Sequence, residues 1–551
     1  MEPLFLPKTF SLRGVSAYTR TQIQADVLSG IIVGVLALPL AIAFAIASGV
    51  SPEKGLVTAV VAGFIISFLG GSRVQIGGPT GAFVVIVVGV VQVYGIEGLI
   101  ISTIMAGVIL VAFGLLRLGT LIKFIPIPLV VGFTSGIAVI IFTSQISDFA
   151  GLELTGLPSG FAAKWAVYFT NLSKINISAL LIAIATVLLS IYSKRFTKKI
   201  PGAFVAIILM TIVVQVFKLP VQTIESVFGA IPKSFAFADF SGIKLSGLTN
   251  YIQPAFTIAM LGAIESLLSA VVSDGMIGSK HRSNTELIAQ GIANIASGIF
   301  GGIPATGAIA RTATNVKNGG RTPIAGMVHA ATLLLIMLFF GGYAAKIPMA
   351  CLAGILVVVA YNMSEWRSFI SILRGSKYDV LVLVVTFLLT VFADLTIAIE
   401  VGMVLAALLF MHRMSDLSVV NKVVGDEETD KEGIEDYSLL PKGISVYEIN
   451  GPFFFGAANR YKEVLKEAGI KSEMLILRMR NVPFIDATGM HNFKEVLRTL
   501  KDYKVEVVLS GVRPEVEKEL LAAGIDQLIP RENICAVFDM AKNKAVKDLK
   551  S

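Results

Sequence analysis

Apolar residues fill the first three-quarters of the chain in long blocks, with polar residues gathered between the blocks and few inside them. Fourteen blocks can be drawn, at about residues 27–47, 54–70, 79–94, 98–116, 125–146, 175–193, 201–217, 254–273, 286–301, 306–316, 323–341, 347–362, 378–393 and 394–411. Runs of about 20 apolar residues predict helices that cross a bilayer. Several blocks are shorter, and the last two are parted only by Asp394. Past residue 411 the rhythm changes. Residues 412–442 are charged and polar, with an acidic run at Asp426, Glu427, Glu428 and Asp430, and read as a linker. Strands are then predicted at 444–449, 474–479 and 505–510, and helices at 459–468, 487–503 and 513–523. Strands alternating with helices predict a small α/β domain over 443–551, long enough for one core.

Two of the fourteen blocks are broken by Gly and Pro. Residues 301–311 read GGIPATGAIAR and residues 77–83 read GGPTGAF. Aligning Gly81-Ala82 with Gly307-Ala308 gives an offset of 226, which also sets Pro39 in the first block opposite Glu265 in the eighth. Paired, interrupted segments in corresponding halves point to a transporter binding site. Non-helical backbone at membrane depth is tolerated where it lines a cavity or is buried in protein.

Composition supports a polytopic membrane protein with a soluble appendage. The 551 residues are 55% hydrophobic and 15% charged, with mean hydropathy +0.78, against roughly 25% charged in soluble domains. Glu2, Pro3 and Pro7 precede any apolar run, so no cleavable signal peptide is expected. Residues 1–25, with Lys8, Arg13 and Arg20, are expected at the membrane surface. Cys351 and Cys535 imply no disulfide framework. The net charge of +8 reads as topology, not nucleic-acid affinity. Loops after even-numbered blocks hold fourteen Lys and Arg, and those after odd-numbered blocks hold seven. Both termini are therefore expected in the cytoplasm. Seven spans in each half would make the halves inverted repeats, bringing the two breaks head to head.

The chemistry expected there is anion binding. Half-helices starting at Pro79 and Pro304 would point free N–H groups at one another, a positive focus without full charge. Thr80 and Thr306 would add hydroxyls, Arg311 a formal charge, and Gly78, Gly81, Ala82, Gly307 and Ala308 close approach to backbone. The same Gly and Pro residues could instead only kink and pack helices. Glu265 is alone as a charge in its block. An intramembrane carboxylate marks a proton or ion path, with Ser269 one turn on; an ion pair with Arg311 is the alternative. Asp394 and Glu400 are expected to cap a turn. Asp274, Lys280, His281 and Arg282 are expected as solvated loop charge. His281 and His329 lack companion ligands, so no metal and no cofactor are expected. No catalytic constellation appears, which excludes an enzyme from the reading.

These residues resemble the sulfate permease (SulP) family of anion transporters. The likeness covers Leu38 to Ala45, Ser48-Gly49-Val50-Ser51-Pro52, the broken third and tenth blocks, and Glu265. It ends in a STAS domain carrying Asn450-Gly451-Pro452-Phe453-Phe454-Phe455 and Val482 to Gly489. Residues 262–314 look closest to bacterial members that carry dicarboxylates with protons. The resemblance implies an all-α membrane domain of fourteen spans in inverted seven-span repeats, like uracil permease, within residues 26–411. Spans 1–4 and 8–11 would form a moving core and spans 5–7 and 12–14 a gate, in an elevator-type homodimer of the bacterial inner membrane. Leu40, Phe44, Phe83 and Ala308–Ile309 would line the site, and Arg311 matches the family's basic position in span 10. Sodium-coupled bicarbonate members carry Asp at the Glu265 position and Thr at the Ile309 position. Ile309 offers no oxygen ligand, which favours protons. The STAS phosphoserine position is Ala487 here, with Thr488 adjacent, so a dimer-stabilising or partner-docking role is expected. The expected function is proton-coupled symport of a carboxylate or sulfate anion, C4-dicarboxylate first. Sulfate or bicarbonate exchange, an anion channel and a STAS-based sensor are the alternatives.

Overall fold

Gly and Pro cut the apolar stretch into helices where the blocks predict them. The computed structural model describes residues 5–11, 19–120, 125–154, 157–158, 160–195, 202–229, 237–238, 245–393, 395–422, 440–441, 443–470 and 472–549. The first half contains α1 (Arg20–Ala47), α2 (Pro52–Leu69), α3 (Gly81–Leu115), α4 (Ile127–Ala150), α5 (Ile177–Tyr192) and α6 (Gly202–Phe217). The second contains α7 (Ile252–Ile277), α8 (Ser283–Ile299), α9 (Ile309–Lys317), α10 (Ile324–Ala344), α11 (Met349–Met363), α12 (Lys377–Phe392) and α13 (Leu395–Leu417). Every apolar block lies on one of these. The third and fourth share α3, which turns at Gly95, where φ is +70°. That value suits glycine, which has no Cβ to clash. Eight helices among the described residues are long and apolar enough to cross a membrane, while α5 and α6 are shorter.

Between α2 and α3, and again between α8 and α9, the chain runs extended. Strand β1 (Gly77–Gly78) pairs antiparallel with β2 (Thr306–Gly307), Gly77 opposite Gly307 and Gly78 opposite Thr306. This pairing corrects the expected helix starts. The half-helices begin at Gly81 and Ile309, not at Pro79 and Pro304. The backbone of Thr306 and Gly307 is committed to the bridge, so a helix can form only beyond it.

The helices pack in two groups. In one, α1, α2, α3, α7, α8, α9 and α10 lie against each other; in the other, α4 packs on α11 and α12, and α5 on α6 and α11. Two buried carboxylates tie the first group across the halves. Asp26 on α1 accepts from Arg321 N, Thr322 N and Thr322 Oγ1. Glu286 on α8 accepts from Gly71 N, Ser72 N and Gln290 Nε2. Each carboxylate thus closes a loop belonging to the other half of the sequence.

Several sequence expectations change here. Helix α1 starts at Arg20, inside the stretch read as a surface segment. Lys8 N donates to Gly70 O, Thr9 Oγ1 to Phe68 O and Leu6 N to Thr285 Oγ1, so the described part of that stretch is bonded to protein. The loop charges after α7 are not simply solvated. Asp274 Oδ2 accepts from His281 N and contacts His281 Nδ1, both at 2.7 Å, and Arg282 Nη1 donates to Leu6 O. Short polar side chains beside a helix end find backbone partners before they find water. Glu400 sits exposed within the second turn of α13, not at a turn. Asp394 lies outside the described residues.

Residues Leu405–Ser551 form a second compact unit. Its five-stranded sheet has the order β3 (Val419–Lys422), β4 (Ile444–Asn450), β5 (Met474–Asn481), β6 (Glu506–Ser510), β7 (Ile534–Cys535). Only the β3–β4 pair is antiparallel. Strand β3 falls in the segment read as linker; four residues ahead of an acidic run carry too little alternation to be seen. Helices α14 (Phe455–Ile470), α15 (Ala487–Asp502), α16 (Pro514–Ala522) and α17 (Phe538–Asp548) cover the sheet. Phe453, Tyr461 and Phe493 pack edge-on in its core.

Candidate functional site

Why the bridge must be made of small residues is visible in what surrounds it. A Cβ on Gly307 would lie 1.6 Å from Gln75 Nε2. Gln75 is buried and donates to Ser266 O on α7, 3.2 Å. A Cβ on Gly78 would sit 2.8 Å from Arg311 Nη1. The bridge is thus clamped by a glutamine on one strand and a guanidinium on the other.

Arg311 lies in the first turn of α9 and is 2% exposed. Its Nη2 donates to Pro79 O at 2.5 Å, just ahead of α3, while Nη1 is buried without a hydrogen-bond partner among the described residues. One half-helix therefore lends its charge to the start of the other. Thr80 is the N-cap of α3 but makes no side-chain cap bond. Instead Thr80 Oγ1 donates to Glu265 Oε2 on α7, 2.8 Å. Arg311 and Glu265 form no direct ion pair, and the bond from Thr80 is the carboxylate's described hydrogen bond. Carboxylate, hydroxyl and free N–H groups of α3 converge where the helix dipole favours negative charge.

The other candidate residues fall around this point. Phe44 is buried, and its ring edge lies 3.2 Å from where a Gly81 Cβ would be. Ile141 of α4 and Met363 of α11 close on the same spot, at 3.3 and 2.8 Å. Gly81 is thus where the two helix groups touch. Ala82 and Phe83 are buried beyond it. Thr306 Oγ1 donates to Gly262 O on α7, 2.9 Å, and Ala308 N to Ile76 O, 2.8 Å, so both are fixed in the scaffold of the bridge. Leu40 is half-buried in the apolar core. Ile309 is 41% exposed. Ser269 does not join Glu265; its Oγ donates to Thr312 Oγ1, which also accepts from Ile76 N. Between α3 and α4 a cavity of about 450 Å³ opens one turn beyond Gly81, at Val84 and Val85.

The sequence reading missed Gln75, Thr312, Ile141, Met363, Asp26 and Glu286. Asp26 and Glu286 stand at the edges of apolar blocks, and a carboxylate there was a signal that each closes a loop. Ile141 and Met363 carry no signal distinguishing them from other apolar helix residues.

Residues 23–386 match the sulfate permease family and residues 440–541 the STAS domain. The chain is 42% identical over 523 residues to the putative sulfate transporter YvdB of Bacillus subtilis, covering 94% of this chain and 96% of that protein. It is 30% identical to the bicarbonate transporter BicA of a Picosynechococcus species, covering 96% and 94%. The structure of SLC26A9 superposes with a TM-score of 0.85 at 18% identity, over 98% of this chain and 93% of that one. The fold is therefore that of a helical polytopic membrane domain with a C-terminal STAS domain. The likeness to dicarboxylate carriers expected from residues 262–314 gains no support from these relatives.

Proposed function

Because the chain belongs to the sulfate permease family, we propose that it carries a small anion across the bacterial inner membrane together with a proton. The observation that carries this reading is the Thr80–Glu265 hydrogen bond at the start of α3. An ionised Glu265 occupies the same positive field that an anionic cargo needs. Protonating Glu265 removes that competition, so proton and anion each make the other cheaper to bind, which is coupling by linkage.

Sulfate and bicarbonate are the first substrates to test, since the relatives bear those names; a C4-dicarboxylate is the next. Backbone N–H groups read charge more than shape, so all three fit the site. The motion proposed is elevator-like. The group tied by Asp26 and Glu286 would move as one body past α4 and α11, across the seam at Gly81. Fourteen crossings in two inverted repeats, both termini in the cytoplasm and a homodimer complete the reading, supported by the basic bias of the even-numbered loops.

The test is uptake of labelled sulfate, bicarbonate and fumarate into proteoliposomes, with and without an acidic exterior. Acid-stimulated accumulation of one of them supports the reading and names the cargo. Counterflow without acid stimulation replaces symport with exchange. No movement of any of the three removes the proposal.

A further inference from the structure

The cavity between α3 and α4 has one charged side chain among its lining residues, Lys164. Its other walls are apolar, as at Val85, Ile140 and Phe392, or neutral and polar, as at Gln92 and Ser144. Lys164 belongs to the helix Phe161–Thr170. Phe161 of that helix packs edge-on against Phe392 of α12, ring centroids 5.5 Å apart, and its Tyr168 is 2% exposed. The ammonium is therefore held at the cavity by a fixed helix, not by a mobile loop. We propose that Lys164 forms a second anion-binding station, which captures the cargo in this cavity before it reaches the paired half-helices.

Three observations converge on that role. The cavity leads to the site, because Ile141 both lines it and closes on Gly81. Lys164 N donates to Gly160 O, but its ammonium has no hydrogen-bond or ion-pair partner among the described residues. Burial also holds its pKa below the ordinary lysine value. A half-buried cation with no counter-charge among the described residues is costly, and an anion in the cavity would supply one. Uncharged walls concentrate the field of a single cation and raise the local anion concentration. The elements around the cavity mouth follow odd-numbered blocks: Tyr94 near the end of the third and Lys164 after the fifth, with Gln253 opening the eighth. In the orientation proposed above the station faces away from the cytoplasm. The inference rests on the anion reading and adds a directional site to it.

Two experiments on the full chain test it. In oriented proteoliposomes, Lys164→Gln should raise the half-saturating concentration of external labelled sulfate or bicarbonate about three- to tenfold more than that of internal anion. Lys164→Glu should raise it further and Lys164→Arg should restore it, with the difference shrinking as ionic strength rises. Equal effects at both faces, or an arginine variant no better than glutamine, would overturn the proposal. The second experiment needs no transport. Brief acylation of the purified protein, mapped by peptide mass, should be slowed several-fold at Lys164 by sulfate at constant ionic strength. Absence of protection by sulfate, bicarbonate and fumarate alike would overturn it. Protection in a protein that moves none of the three would leave the station standing and remove only the carrier reading.

Discussion

Thr80 and Glu265 stand 185 positions apart in sequence and 2.8 Å apart in space, and the roles proposed for single residues are tested most directly here. Glu265→Gln removes the ionisable group while keeping a hydrogen-bonding partner for Thr80. Acid-driven accumulation in proteoliposomes should fall by an order of magnitude or more, with counterflow falling less; unchanged acid-driven accumulation would exclude Glu265 as the coupling group. Gly307 tests the scaffold. A Cβ there would overlap Gln75 Nε2, and overpacking of this kind costs about 1–3 kcal/mol. Gly307→Ala should lower the melting temperature, and adding Gln75→Ala should recover part of the loss despite breaking the bond to Ser266. Two losses that simply add would show that the clash is not what makes Gly307 necessary. Both residues illustrate what was legible. Glu265 and the glycines announce themselves because a charge or a flexible residue is out of place in an apolar block. Gln75 does not, because a glutamine between two blocks reads as an ordinary loop residue until the chain folds back over it.

Elements were legible where a single period dominates. Each apolar block lies on a helix, the third and fourth sharing α3, and the strands at 444–449, 474–479 and 505–510 were found because apolar residues dominate them; burial runs unbroken through Met474–Met479 and Val507–Ser510, whereas in β4 the buried positions are Val446 and Ile449. What was lost lies at junctions. Helix α9 starts later than Pro304 suggests because the bridge claims Thr306 and Gly307, and α3 starts two residues beyond Pro79 because its N-cap, Thr80, is extended. Strands β3 and β7 are too short, at four and two residues, to show a period. The ends of elements also carry testable energy. Asp486 caps α15 through Gly489 N and holds Phe455 N with its second oxygen, at 2.7 and 2.9 Å. Losing such a cap costs about 1–2 kcal/mol. Asp486→Ala should therefore speed amide exchange across residues 487–490 and at Phe455 in the full chain, while the strands stay protected. Exchange that is unchanged at both places would remove Asp486 as the lock between these two helix starts.

At the scale of the membrane unit, the arrangement of ties decides which movements are cheap. Asp26 and Glu286 join loops from opposite halves, and each bond to a buried carboxylate contributes about 1.5–3 kcal/mol. Ser29 Oγ donates to Asn315 Oδ1 at 2.7 Å, a further tie between α1 and α9. Across the seam, by contrast, the side chains described at Gly81 are the apolar ones of Ile141 and Met363. Apolar surfaces can slide without leaving a buried donor or acceptor unpaired, whereas polar ties cannot. Movement should therefore occur between the groups and not within the tied one. A short thiol crosslink from Val85→Cys on α3 to Ile140→Cys on α4, both lining the cavity, should stop transport, and reductive release should restore it. A disulfide joining Ser29→Cys to Asn315→Cys, within the tied group, should leave transport running. The comparison is clean because the native Cys351 and Cys535 are both buried. Transport that survives the first crosslink would show that the seam at Gly81 need not slide. Transport stopped by the second would show that α1 and α9 move against each other, and the single-body description of this group would fall with it.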